Sequence, residues 1–321
     1  AGLFQVFFWL SRDNLVTLNE NSFEKIESLS YSPFEGYDKN LLSSEQIAYD
    51  VNLFENFTNK LRTYGTLEAY KILQSSKDSN LPIDLGLWIG GDLEANNLEI
   101  QRALEILKEY PNRIQSVIVG NEVLLRKELE PLELYAYIDF MKSHTKKPVT
   151  TAETWDIWEK NPQLASHVDF LTIHILPYWE KVPIERYNEF IIEKYSVVEE
   201  LFPNRKIVIG ETGWPSHGYN NNSAIPSIKN QAQAIRGFVN LAHEKGWHYN
   251  IIEALDQPWK GYDEGNVGQY WGIFTTDRAL KFQLAGEVEL NKYWLYQMIA
   301  AIIIGALLTL FGLKNQRVNI S

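Results

Sequence analysis

Residues 206–216 read KIVIGETGWPS. Three β-branched apolar residues, Ile207, Val208 and Ile209, lead straight into Gly210, Glu211, Thr212, Gly213, Trp214 and Pro215. An apolar run without polar alternation is the pattern of a strand buried on both faces, as in a parallel sheet covered by helices. This dry strand ends in a carboxylate, followed at once by an indole and a proline, and that ending needs a reason.

Runs of the same kind recur along the chain. They are KIESLSY (25–31), KLRTY (60–64), IDLGLWI (83–89), QSVIVG (115–120), PVTTA (148–152), DFLTIH (169–174), KIVIG (206–210) and NIIEA (250–254). Amphipathic stretches lie between them, such as SEQIAYDVNLFENF (44–57), NNLEIQRALEILKEY (96–110), PLELYAYIDFMKSH (131–144) and IKNQAQAIRGFVNLAHEKG (228–246). In the last, Ala232, Ile235, Phe238, Val239 and Ala242 keep a helical period. Eight strand–helix units predict an α/β fold, a parallel (β/α)8 TIM barrel. An open doubly wound sheet fits less well, because the first run ends YSPF (31–34) with no Gly-rich phosphate loop. No linker or low-complexity segment interrupts 25–290, so one domain is expected.

Composition narrows the function. A chain of 321 residues suits one large α/β domain or two ordinary ones. The net charge of −11 argues against a nucleic-acid partner, since phosphate binding wants a basic face. The absence of cysteine excludes disulfides and thiolate catalysis. The six histidines show no metal-site spacing; His243 and His248, five apart, miss a common helical face. No metal or other cofactor is expected.

In a barrel of this kind chemistry collects where strands end and loops begin. The second strand ends Arg62-Thr63-Tyr64-Gly65 and the third in Trp88. The fourth ends Asn121-Glu122, the fifth is followed by Glu153-Thr154-Trp155, and the sixth leads to His174, Pro177, Tyr178 and Trp179. The seventh ends Glu211-Thr212-Gly213-Trp214, and the eighth is followed by Asp256-Gln257-Pro258-Trp259-Lys260. Of the 10 tryptophans, residues 88, 155, 158, 179, 214, 259 and 271 lie at or just past a strand end. Indole rings stack on the C–H faces of sugars, so an aromatic rim points to a carbohydrate cleft. Glu122 and Glu211 end opposite strands. A carboxylate pair flanking a scissile bond is the requirement of glycoside hydrolysis, with one group protonating the leaving oxygen and the other attacking the anomeric carbon.

The combination of GNE (120–122), RTYG (62–65), GETGWPS (210–216) and DQPWK (256–260) resembles glycoside hydrolase family 17, whose members are β-1,3-glucan-active barrels. The resemblance covers roughly residues 25–285, and GETGWPS is its most specific piece. It implies that Glu122 is the acid/base and Glu211 the nucleophile, that Asn121 contacts the sugar 2-OH, and that Arg62 lies near Glu211 and keeps it ionised. Glu122 would need a raised pKa to arrive protonated. The matching motifs place Arg62, Tyr64, Asp256 and Lys260 in the substrate site. Trp155, Trp158, Tyr178, Trp179 and Trp259 lie on loops that would line subsites on either side of the cut. Trp214 would offer a stacking face beside it, with Gly210 and Gly213 allowing a tight turn. Leu176 and Gln257 depart from the plant-type pattern, which carries Tyr and Glu there. Such features look more like bacterial members, some of which are extracytoplasmic domains flanked by membrane helices and joined to a processive glycosyltransferase.

Both ends are apolar. Residues 293–313, YWLYQMIAAIIIGALLTLFGL, carry no charge and are long enough to span a bilayer. Tyr293, Trp294 and Tyr296 sit at one end, while Lys314 and Arg317 follow the other and place it in the cytoplasm. LFQVFFWL (3–10) is too short to span and reads as the tail of a longer helix or of a signal segment. The expected organisation is an apolar segment at 1–14, a barrel at 15–290, a transmembrane helix at 293–313 and a cytoplasmic tail at 314–321, within a fragment of a larger membrane protein. The expected function is a retaining β-1,3-glucan hydrolase or transglycosylase outside the membrane. The alternative is a non-catalytic extracytoplasmic glucan-binding domain of a glucan synthase.

Overall fold

The computed structural model describes residues 6–8, 15–17, 25–289 and 293–318. Its contacts divide the chain into two units, Asn21–Leu284 and a second made of Ala1–Glu20 with Ala285–Ser321.

The first unit is a closed barrel of eight parallel strands arranged in chain order. The strands are β1 (Leu29–Ser30), β2 (Leu61–Arg62), β3 (Ile83–Leu87), β4 (Ile114–Asn121), β5 (Val149–Thr154), β6 (Leu171–His174), β7 (Ile207–Thr212) and β8 (His248–Ile251). Each overlaps one of the apolar runs, and the ring closes through Ile251 against Leu29. In β3 every residue is buried, as both-faced coverage demands.

Helices follow the first seven strands: α1 (Ser44–Glu55), α2 (Thr66–Ser75), α3 (Leu93–Glu109), α4 (Pro131–His144), α5 (Trp155–Lys160), α6 (Tyr187–Leu201) and α7 (Ile228–Lys245). Their starts follow cap chemistry. Ser43, Asp92 and Ser227 each accept a hydrogen bond from a backbone N–H in the first turn. Proline, whose missing N–H costs nothing there, opens α4. The periodic residues Ala232, Ile235, Phe238, Val239 and Ala242 of α7 are all buried, and Gly246 ends the helix at φ +66°. The alternation stops after β8. Two short 3-10 turns, Pro258–Gly261 and Asn266–Tyr270, occupy the place of an eighth helix among the described residues of this unit. Pro258, Gly261, Gly265 and Gly268 make a regular helix unfavourable across that stretch.

The second unit pairs Leu15–Thr17 with Glu287–Glu289 in antiparallel fashion and continues into α8 (Trp294–Val318). Residues Trp294–Phe311 have a mean hydropathy of 2.0 and none of them is buried, so by length and composition this helix can cross a membrane. The helix runs on past residue 313 to Val318. The expected N-terminal segment 1–14 lies outside the described residues except for 6–8, and 319–321 lie outside them as well.

Candidate active site

Glu122 follows β4 and Glu211 lies in β7. At both strands the parallel register slips just before the carboxylate, between Ile118 and Asn121 against β5 and between Ile209 and Glu211 against β6. Such bulges re-aim a side chain at the end of a strand. Gly120 takes φ +82° and Glu122 itself φ +55°, a left-handed conformation that costs a non-glycine residue about 1 kcal/mol or more. Neighbouring bonds hold it there. The Glu122 N–H donates to Ala152 O at 2.7 Å. The buried Glu153 carboxylate at the end of β5 accepts from the N–H groups of Leu124 at 2.8 Å and Leu125 at 3.3 Å.

Glycine at 210 serves proximity rather than a turn. A Cβ there would stand 2.3 Å from Thr172 Cγ2 and 3.1 Å from both Arg62 Nη1 and the His174 ring. Likewise a Cβ at Gly213 would meet Ile252 O at 2.4 Å. Neither glycine has the left-handed backbone that a tight turn would require.

The space kept open by Gly210 holds a compact polar cluster. The buried Arg62 guanidinium donates to Gly210 O at 2.5 Å and to Asn121 Oδ1 at 2.7 Å, and its Nη1 stands 3.5 Å from Glu211 Oε1. With Oδ1 engaged, the Asn121 amide keeps its NH2 as donor towards the cleft it lines. His174 Nδ1 lies 2.7 Å from Glu122 Oε1, and its Nε2 lies 3.3 Å from both Arg62 terminal nitrogens. One donor atom from each of Glu122, His174 and Glu211 falls within 4.8 Å of the others. These are metal-ligand types, yet the guanidinium already stands against His174 and Glu211, so the cluster is closed by a fixed cation.

Two pockets meet at the glutamates. The larger, about 530 Å³, is walled by Tyr64, Trp88, Asn121, Trp259 and Lys260 among others. The smaller, about 230 Å³, is walled by Leu125, Trp155, Leu176, Trp179 and Trp271. Glu122 and Glu211 line both. Cations cap several of the rings: Arg126 lies 4.5 Å from Trp88, Lys39 lies 4.3 Å from Trp259, and Lys194 lies 4.5 Å from Trp155. Lys260 pairs with buried Glu253 at 3.0 Å. Burial works against its charge, but the Glu253 and Glu264 carboxylates outweigh it and hold the lysine above its ordinary range.

Five residues expected in the substrate site, Arg62, Trp158, Tyr178, Trp214 and Asp256, are not among these walls. Trp214 is fully buried, its indole N–H donating to Ile225 O at 3.0 Å and its ring packed on Tyr178 and Tyr187. It therefore offers no face to a sugar. Tyr178 is equally buried, with its hydroxyl bonded to Tyr219 O at 2.6 Å and its ring edge-on to Trp179 and Trp271, so it braces the wall from behind. Asp256 is tied to Lys281 at 2.6 Å and to the Gly272 N–H at 3.1 Å, which makes it a loop clamp. Trp158, also counted in the rim, is buried and donates to Thr172 O. Conversely, His174, Glu153 and Arg126 received no role from the sequence. The first two stand at strand ends, which is the signal that could have found them. Arg126, four residues beyond Glu122, carries no such mark.

Charge in the site departs from expectation at Glu122. Burial pushes its carboxyl up, but the hydrogen bond from His174, with the charges of Arg126 and Arg62, outweighs burial and holds it below the usual range. Its neighbour Glu153 behaves oppositely. Burial, abetted by the charge of Glu122, pushes it up to about 7 against the two N–H donors. Burial likewise takes Glu68, which caps α2 through the Tyr64 and Gly65 N–H groups, up to about 7.

These raised values carry a sign for stability. The folded state binds these two protons more tightly than the unfolded chain, whose glutamates titrate near ~4.3. The stabilisation is complete below that value and is lost as pH rises through 7. Each group is worth up to about 3 kcal/mol. At roughly 2–4 °C per kcal/mol, the two groups together should take roughly 10–20 °C from the wild-type Tm between pH 5 and pH 8. Glu153→Gln and Glu68→Gln should each flatten that slope. Parallel melting curves for wild type and both variants across this range would remove the assignment.

Known proteins resemble this chain over the barrel. The family model for the BtgE/BtgC glycoside hydrolase domain matches residues 28–272. The chain belongs to this family, a branch of glycoside hydrolase family 17. It is 27% identical over 255 residues to a glucan 1,3-beta-glucosidase of Schizosaccharomyces pombe, covering 73% of this chain and 79% of that one. It is 28% identical over 276 residues to the putative glucan endo-1,3-beta-glucosidase btgC of Aspergillus niger, covering 74% of this chain but only 40% of that one. A Rhizomucor miehei beta-1,3-glucanosyltransferase, solved as an active-site mutant with laminaritriose, superimposes with a TM-score of 0.72 at 25% identity over 80% of this chain and 95% of that one. An endo-laminarinase from Formosa shares the fold, with a TM-score of 0.70 at 20% identity over 82% of this chain and 86% of that one. The BtgE/BtgC-type barrel is thus an enzyme of the glycoside hydrolase class.

Proposed function

We propose that the barrel is a retaining β-1,3-glucan-active enzyme that favours transfer to a sugar over transfer to water. The observation that carries this is the placement of Glu122 and Glu211 at the junction of two pockets, with oxygens within 4.8 Å. Retaining enzymes hold their carboxyl groups ~5–5.5 Å apart, whereas inverting enzymes need room for a water and ~6.5–9.5 Å. Glu211 attacks the anomeric carbon from the strand-seven side. The C–O bond breaks and the leaving oxygen takes the proton of Glu122. Glu122, now ionised, takes a proton from the incoming hydroxyl, which attacks the same carbon and frees Glu211. Asn121 offers its NH2 to the sugar 2-OH, a contact that strengthens as charge develops. Arg62 holds Glu211 in line from below.

A resting Glu122 held below the usual range must gain its proton when substrate arrives. A glucan that fills both pockets removes water from the carboxyl, and desolvation favours its neutral form.

Transfer is favoured by the apolar and aromatic residues among the walls of the smaller pocket: Leu125, Trp155, Leu176, Trp179 and Trp271. A stacked sugar gains ~1 kcal/mol per ring beyond its buried area. Two such contacts orient an acceptor hydroxyl where a loose water would otherwise react. With β-1,3-gluco-oligosaccharides at millimolar concentration, chromatography should therefore show products longer than the starting chain, and hydrolysis should dominate only at dilute donor. Shorter products alone at every concentration would leave a plain hydrolase.

The remaining functional readings concern surroundings. The apolar span Trp294–Phe311 supports a barrel anchored on the outer side of a membrane, with Lys314 and Arg317 inside. A fused or associated glycosyltransferase would then supply the nascent glucan. Protease added to intact cells or spheroplasts should digest the barrel; protection of the barrel would contradict this orientation.

A further inference from the structure

His174 emerges from β6 into the centre of the site, and its side chain is fully buried. Its surroundings restrict where its hydrogen can lie. Nε2 faces both terminal nitrogens of Arg62 at 3.3 Å. A guanidinium is always charged in proteins and has only donors. Nε2 must therefore accept, because a hydrogen there would point at two N–H groups. Glu211 Oε1, at 3.6 Å, is too far to reward a hydrogen on Nε2. The hydrogen consequently belongs on Nδ1, where Glu122 Oε1 waits at 2.7 Å. Glu122, Arg62 and Glu211 are the charged groups that touch the ring, from β4, β2 and β7; the closer two, Glu122 and Arg62, set this tautomer against the more distant Glu211 carboxylate.

The consequence falls on Glu122. An oxygen that accepts from Nδ1–H does not carry the carboxyl hydrogen in the same contact. Oε2 makes no hydrogen bond to protein among the described residues, and the side chain is about one-fifth exposed, towards the two pockets it lines. We infer that His174 is a positioning residue: held by Arg62 as the neutral Nδ1–H tautomer, it occupies Glu122 Oε1 and leaves Oε2 to deliver the proton to the leaving oxygen. The two oxygens of the acid are thereby made unequal. Arg62 acts twice, once against Glu211 and once through His174 on Glu122, so both carboxylates are registered on one buried guanidinium. In the transfer the hydrogen leaves Oε2 for the glycosidic oxygen as its bond to carbon breaks, and the same atom recovers a hydrogen from the acceptor hydroxyl. His174 exchanges no proton in either step.

This rests on Glu122 being the acid. The test uses the full chain in detergent, labelled with 15N-histidine. Long-range proton–nitrogen spectra report which ring nitrogen bears hydrogen, and the His174 signals are those absent from His174→Asn. Hydrogen on Nδ1 with a bare Nε2 is the expected result; hydrogen on Nε2 overturns the inference. Kinetics give a second readout. The Asn amide places a donor where Nδ1 was, so His174→Asn should keep oligosaccharide turnover within about tenfold of wild type. His174→Leu, lacking the donor, should lose on the order of 10²-fold or more on oligosaccharides and far less on an activated aryl glucoside, which needs no proton. Equal losses on both substrates, or no rescue by Asn over Leu, would overturn it. A failure of the underlying reading would look different, since Glu122→Gln would then spare oligosaccharide turnover altogether.

Discussion

Glu211→Ala should abolish turnover, with a loss of roughly 10⁴-fold or more, the scale on which removal of a nucleophile is felt. The carboxylate leaves a void beside Arg62, and two neighbouring carboxylates are already engaged, Glu253 by Lys260 and Glu122 by His174. A small anion such as azide or formate should enter the void, attack the anomeric carbon directly and restore part of the activity on an activated aryl glucoside. Because attack then happens once instead of twice, the product should have inverted configuration. Proton NMR of the glycosyl azide reads this directly. Full activity in the mutant, or rescue with retained configuration, would falsify the assignment of Glu211 as nucleophile.

Glu122→Gln should divide substrates by leaving group. A general acid contributes about 10²–10⁴-fold when the leaving oxygen is a poor one. Oligosaccharide cleavage should fall by that factor, while cleavage of a dinitrophenyl glucoside should fall far less in its first step. The substitution is nearly isosteric, so Leu124 and Leu125 remain clamped by Glu153 and the loop conformation survives. Equal losses on the two substrates would show that Glu122 acts on something other than the leaving group.

The barrel was legible in the sequence because it is built from local periodicity. Ile207, Val208 and Ile209 announce a strand covered on both faces, and Ala232, Ile235 and Phe238 announce a helix with one buried stripe. The same logic failed after β8. There Pro258 and the following glycines replaced a helix with two 3-10 turns, the first of which helps wall the larger pocket. The two carboxylates were legible for a similar reason, since strand ends in a barrel all open on one face.

The aromatic rim was legible as a set and misleading as individuals. Trp88, Trp155, Trp179, Trp259 and Trp271 face the pockets, whereas Trp158 and Trp214 pack beneath them. Position along the chain places a ring near a strand end, but the direction of its side chain depends on neighbours distant in sequence, such as Ile225 for Trp214 and Thr172 for Trp158.

By itself, then, the sequence determined the eight-stranded barrel, its glycosidase motifs and the pair Glu122 and Glu211, because strand, helix and strand-end position are local properties of a patterned chain. Only the tertiary structure decided the electrostatics of that pair. His174, Arg62 and Glu153 come from three different strands, and their contacts span distances of 2.7 to 3.6 Å. No spacing along the chain encodes those contacts. A carboxylate that the family pattern casts as a proton donor is therefore found held below its usual range, and the answer to why a dry strand ends in Glu211 is a guanidinium that arrives 149 residues earlier in the chain, at Arg62.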